Sequence, residues 1–92
     1  MFVDFTAAWC VTCQVNKKLV LETGSIRQAF AAKRLTLMRG DWTRRDAEIS
    51  AALAELGRNG VPVYALFAPG KPVVLLPEIL REQIVLDALK AL

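Results

Sequence analysis

The chain carries two cysteines, and they stand three residues apart, at Cys10 and Cys13. Before them, Phe2 to Ala7 reads as a buried strand, largely apolar but for Asp4 and Thr6. After them, Val11 to about Glu22 has Val15 and Leu19 at the i, i+4 spacing of a helix. The pair therefore marks the point where a buried strand passes into a helix. A strand with helical neighbours must sit in a sheet that helices cover. At 92 residues the chain makes one domain and is well below a two-domain length.

The remaining segments extend that pattern. Thr23-Gly24 stops the first helix. Ser25 starts a short second helix through Ala32, with Gln28 three residues on as its capping-box partner. Leu35 to Trp42 reads as a second strand. Thr43 or Asp46 caps the next helix, which presents Ile49, Ala52, Leu53 and Leu56 on one face and ends with Gly57 at C′. Arg58-Asn59-Gly60 is a loop, and Val63 to Ala68 an apolar strand. Pro69-Gly70-Lys71 makes a tight turn. Val73 to Leu80 follows as a strand broken by Pro77, which confines it to an edge or a bulge. Arg81 to Leu92 closes the chain as a helix with Val85, Ala88, Leu89 and Leu92 on one side. The order β-α-(α)-β-α-β-β-α predicts an α/β fold. Its parallel element comes from the alternation and its antiparallel hairpin from the short late turn, so the central sheet is mixed.

Composition excludes several classes. Hydrophobic residues are 54% and charged residues 23%, so the chain can bury a core and is not disordered. Two cysteines do not make a disulfide-dense scaffold, and the absence of histidine removes His-based triads and most zinc sites. The net charge of +3 comes from 12 basic and 9 acidic residues, dispersed with no basic run longer than two. That is a solvated mixed surface, not a nucleic-acid face, and it fits a monomer. No apolar run approaches the ~20 residues of a membrane helix. Met1-Phe2-Val3-Asp4 has neither the basic segment nor the apolar core of a signal peptide. A strand that begins at residue 2 has no lead-in, so residues 1–92 are expected to be one domain excised from a longer chain.

Residues i and i+3 on one helical turn lie roughly 5–6 Å apart, which suits a disulfide. Cys10 falls at the helix N-terminus, where free N–H groups and the helix dipole stabilise a thiolate. Cys13 is one turn further in and expected to be more buried. The asymmetry makes Cys10 the attacking thiol and Cys13 the resolving one. A zinc site would need four ligands, which this chain lacks. Two thiolates suit Cu(I), so a Cu(I)-binding module is an alternative of a different class. Copper chaperones carry a Met two residues before the first cysteine; here that residue is Ala8. A static disulfide would close too short a loop to restrain the unfolded chain much. Asp4, an acid on an apolar strand leading into the cysteines, is placed to exchange a proton with Cys13. Only ~5–6% of X–Pro bonds are cis, so residue statistics favour trans for Val61-Pro62.

Asp4 followed by Trp9-Cys10-Val11-Thr12-Cys13, and a distant Gly60-Val61-Pro62 before a strand, resembles the thioredoxin superfamily. The resemblance runs along essentially the whole chain and implies a thioredoxin-like fold lacking its first strand and helix. Trp9-Cys10-Val11-Thr12-Cys13-Gln14, Thr43-Arg44-Arg45-Asp46, Gly60-Val61-Pro62 and Val74-Leu75-Leu76-Pro77-Glu78-Ile79-Leu80 are most similar to the C-terminal thioredoxin-like domains of the DsbD family of thiol:disulfide interchange proteins. That family implies a protein-disulfide reductase with no cofactor beyond the redox-active pair Cys10–Cys13. It implies a nucleophile at Cys10, a resolving thiol at Cys13 and a buried proton-handling acid at Asp4. It also implies a cis-proline at Pro62, substrate hydrogen bonds from Val61, and a docking surface that includes Trp9. The partners would be protein thiols and disulfides, together with the membrane-embedded and N-terminal domains of the same protein. The location would be the periplasm, and the onward path of electrons would include cytochrome c maturation. A freestanding, cytoplasmic thioredoxin-like reductase is the alternative within the class. One position departs from the family: the seventh residue after the first cysteine is Lys17, not an acid. A cation there is expected to favour the thiolate.

Overall fold

A computed structural model describes all of residues 1–92. Strand β1 (Phe2–Thr6) leads into helix α1 (Val11–Asn16), which continues as a π-helical turn over Lys17–Leu21. Helix α2 (Gly24–Ala32), strand β2 (Leu37–Asp41), helix α3 (Ala47–Glu55), strands β3 (Val63–Leu66) and β4 (Val74–Leu76), and helix α4 (Glu82–Lys90) follow. The sheet order is β2-β1-β3-β4. β1 pairs parallel with β2 and antiparallel with β3, and β3 pairs antiparallel with β4. The mixed α/β sheet is as the element order predicted.

β1 and β3 are central, so their side chains divide between two cores. Phe2, Tyr64 and Leu66 join Val20, Ile26, Phe30, Leu80, Val85 and Leu89 on the face covered by α1, α2 and α4. Phe5, Val63 and Ala65 join Trp42 and Leu53 on the face covered by α3. This explains why β3 is apolar at every position: all four residues are buried, two toward each layer. Phe2 lies 5.1 Å from Phe30 between ring centroids, which ties the first strand to α2.

Several local expectations change. The first helix is not one α-helix to Glu22: the Glu22 N–H donates to the Lys17 carbonyl, an i→i−5 bond that widens the last turn. Its inward face is Cys13, Asn16 and Val20, whereas Val15 and Leu19 are 47% and 69% exposed. The i, i+4 pair was real but faces solvent, because the short side chains Cys13 and Asn16 are the ones that fit under the helix. Thr23, not Ser25, caps α2, its hydroxyl accepting the Ile26 N–H at 3.4 Å, and Gln28 is exposed. The expected Leu35–Trp42 strand shortens to Leu37–Asp41 and lies at an edge, with Leu37 and Met38 more than half exposed. Between the two candidate caps of α3, Asp46 takes the role by accepting the Glu48 N–H at 2.8 Å. Gly57 sits at φ +75°, and the Arg58 N–H reaches back to the Leu53 carbonyl, as a glycine-terminated helix requires. β4 stops before Pro77 and is the other edge.

Candidate active site

The loop between β1 and α1 is held from both sides. The Ala7 carbonyl accepts the Cys10 N–H at 3.1 Å and the Gln14 side-chain amide at 3.2 Å. The Ala8 N–H donates to the Thr43 hydroxyl at 2.8 Å, and the Trp9 indole N–H donates to the Thr43 carbonyl at 3.0 Å. Thr43 is itself anchored to Asp41, through its backbone N–H and its hydroxyl. Those two bonds hold the Asp41 carboxyl below its ordinary value, with Arg39 and Arg44 adding to the effect. The β1–α1 loop is thus tied to the β2–α3 loop, which sequence spacing does not show.

Cys10 is the N-cap of α1, and its sulfur accepts the Cys13 N–H at 3.1 Å. The two cysteines form a disulfide with their Cα atoms 5.2 Å apart. Both are buried, Cys13 slightly more than Cys10, and they pack with Ala7 and Val61. The Val61–Pro62 peptide is cis, against the statistical expectation and in line with the resemblance. Pro62 is buried, and Val61 is the half-buried residue that touches the cysteine cluster. Trp9 is 48% exposed beside the disulfide. Its ring lies 5.9 Å from that of Trp42, and the Arg45 guanidinium stands over both indoles, at 5.2 and 5.3 Å. Arg45 has φ +51°, a conformation few non-glycine residues adopt without tertiary support. Residue by residue, Arg45 looked like part of a dispersed surface charge. Its role in the stack depends on Trp9, far from it in sequence, being brought beside the neighbouring Trp42.

Asp4 lies on the α1 side of the sheet, half buried, opposite Arg39 on β2 and Tyr64 on β3. Burial raises its pKa, and the charges of Arg39 and Lys17 pull it back down. Lys17 is half-buried, not out in solvent, and its charge acts on this acid. Burial pushes the Tyr64 phenol up to about 12; a hydrogen bond from Asn16 opposes the shift, and Asp4 adds to it. The sequence does not single out Asn16. It is 2% exposed, donates to the Tyr64 hydroxyl at 2.9 Å and the Glu78 carbonyl at 2.7 Å, and accepts the Leu80 N–H at 3.1 Å. An asparagine in a helix carries no signal of such a clasp.

No three His, Cys, Asp or Glu side chains gather as metal ligands. No helix is long and apolar enough to cross a membrane. Chemically, the arrangement offers a redox-active sulfur pair at a helix N-terminus, a half-buried acid on the strand before it, and a partly open rim.

None of the curated proteins matches the sequence. Among solved structures the chain is similar to the C-terminal domain of Neisseria meningitidis DsbD. To its oxidised form the TM-score is 0.84 at 22% identity, covering 99% of this chain and 78% of that one. To its reduced form the TM-score is 0.82 with the same identity and coverage. Chloroplastic thioredoxin z is more distant, with a TM-score of 0.68 at 19% identity over 98% of this chain and 74% of that one. The thioredoxin-like family model matches residues 1–69. With the disulfide at the strand-to-helix junction, the thioredoxin-like family match supports thiol–disulfide exchange. The chain belongs to the thioredoxin-like family.

Proposed function

We propose that this chain is a protein-disulfide reductase domain that relays electrons as DsbD does, through Cys10-Val11-Thr12-Cys13. The observation that carries the reading is the asymmetric pair itself. Cys10 caps the helix with its sulfur on a backbone N–H, and Cys13 sits one turn deeper. In the reduced form that N–H and the helix dipole favour the Cys10 thiolate. The Cys10 thiolate attacks a partner disulfide, forming a mixed disulfide and releasing one partner thiolate. Cys13 then gives its proton to Asp4, and its sulfur attacks the Cys10 sulfur. The Cys10–Cys13 bond forms, the bond to the partner breaks, and the second partner thiolate leaves and takes a proton from solvent. Two electrons pass from the dithiol to the partner.

Trp9, Val61 and Pro62 would form the surface on which the partner chain docks, Val61 through its backbone. The natural setting we infer is the periplasm. There the domain would be part of a larger membrane protein, drawing electrons from a membrane-embedded domain and passing them to an N-terminal domain. Thiol proteins, among them cytochrome c maturation factors, would lie downstream.

Equilibration in defined thiol–disulfide buffers tests the reading. A potential between those of thioredoxin and glutaredoxin, roughly −270 to −200 mV, is expected of a reductant. A value near −120 mV would reverse the direction, and no reversible couple would end the reading. Cys13→Ser should trap mixed disulfides with partner proteins, and Cys10→Ser should trap none.

A further inference from the structure

Lys17 begins the π-helical turn one helical turn after Cys13, and its backbone N–H donates to the Cys13 carbonyl. Residues four apart leave a helix on the same face, so Lys17 and Cys13 share the inward side. Asp4, in register with Arg39, lies beside Lys17, with which it lines the same cavities. Two cavities meet here. One, of about 580 Å³, is mostly apolar and lined by Phe2, Leu21, Phe30 and Leu35. The other, of about 180 Å³, runs to Gln14 on α1 and to Ala7, Ala8 and Thr43 in the loops around the disulfide. Asp4, Lys17 and Arg39 are the residues common to both, so they form the wall between them.

We propose that Lys17 is a positioning residue for the resolving step, holding Asp4 as a carboxylate so that it can take the Cys13 proton near neutral pH. The inference rests on the thiol–disulfide reading above. The charged and titratable groups around Asp4 are Lys17 from the π turn, Arg39 from β2 and Tyr64 from β3. Glu22 and Arg27 line the larger cavity further out, and Asp41 the smaller one. With the Tyr64 phenol pushed up to about 12, it carries no charge at neutral pH, and the cations that favour the Asp4 carboxylate are Arg39 and Lys17. Burial opposes that charge, and both cations favour it. Arg39 arrives on the neighbouring strand. Lys17 arrives on the helix that bears Cys13, and therefore links the acid to the thiol it serves. The proton leaves the Cys13 sulfur for Asp4 as the Cys10–Cys13 bond forms and the partner thiolate departs.

The test uses the reduced chain and an aromatic disulfide, bis(5-carboxy-4-nitrophenyl) disulfide. Attack by Cys10 releases one coloured thiolate, and resolution by Cys13 releases a second. The pH profile of the second phase reads the step in question. Lys17→Met and Lys17→Gln should each move its acid limb to higher pH by about 0.5–1 unit, and Lys17→Arg should leave it in place. In an Asp4→Asn background Lys17→Met should produce no further shift. A wild-type profile in both Lys17→Met and Lys17→Gln overturns the proposal. So does a shift that persists undiminished without Asp4, which would mean that Lys17 acts on the thiols directly. If the wild type shows neither phase, the thiol–disulfide reading itself falls.

Discussion

Asn16 shows how one side chain can hold an active-site helix in place. Its amide joins α1 to the Tyr64 hydroxyl on β3 and to the backbone of Glu78 and Leu80 beyond β4. Asn16→Ala removes all three bonds and leaves the Leu80 N–H and Glu78 carbonyl short of a partner. A loss of about 2–4 kcal/mol in urea unfolding is expected, because buried groups left unpaired cost their full desolvation. A loss under about 0.5 kcal/mol would mean that water replaces the amide. Asp4 behaves in the opposite sense. Its folded pKa is raised, so the folded state holds the proton more tightly than the unfolded chain. The stability this lends is complete below the ordinary value of 3.8 and is lost as pH rises through the folded value. Asp4→Asn should therefore unfold at higher urea than the wild type at pH 7, and the difference should shrink in acid. A lower midpoint at pH 7 would show that the ionised acid is stabilising where it sits.

At the scale of elements, the join between β1 and β2 depends on a close approach. Gly40 on β2 lies in register with Phe5 on β1. A Cβ at Gly40 would come 2.6 Å from the Phe5 ring, with Ile49 of α3 also near. Phe5 is buried and cannot move away cheaply. Gly40→Ala is expected to cost about 1–3 kcal/mol, measured by thermal or urea unfolding. Gly24→Ala is the matched control, since a Cβ there meets nothing within 4 Å. If Gly40→Ala is as mild as the control, Phe5 has an alternative rotamer. The helix termini follow the same local logic. The Thr23 and Asp46 side chains each satisfy a backbone N–H at the start of their helix, and glycine ends α3. These devices are short-range and readable from residue order. Choosing Thr23 over Ser25 was not, since both are good caps and the choice depends on where the preceding π turn ends.

Across the whole molecule, stability is distributed by position in the sheet. β3 pairs on both sides and is buried at every residue, whereas β2 is an edge with Leu37 and Met38 largely exposed. Amides of Val63–Leu66 should be among the slowest to exchange in native-state hydrogen exchange, with those of Leu37 and Met38 orders of magnitude faster. Equal protection would mean that β2 is covered in solution. Much of this architecture was legible beforehand. Strand and helix periods, the glycine and proline stops, and a cysteine pair at a strand-to-helix junction are local facts. They determined the element order, the mixed sheet and the position of the redox pair. The tertiary structure alone decided which apolar residues face in, so that Val15 and Leu19 lie outside while Asn16 lies inside. It also decided the stack of Arg45 on Trp9 and Trp42, the anchoring of the Cys10 loop by Thr43, and the meeting of Lys17, Asp4 and Arg39. Each of these depends on contacts between segments far apart in the chain. Local propensity cannot encode them, because the side chains acquire their partners only when the layers pack.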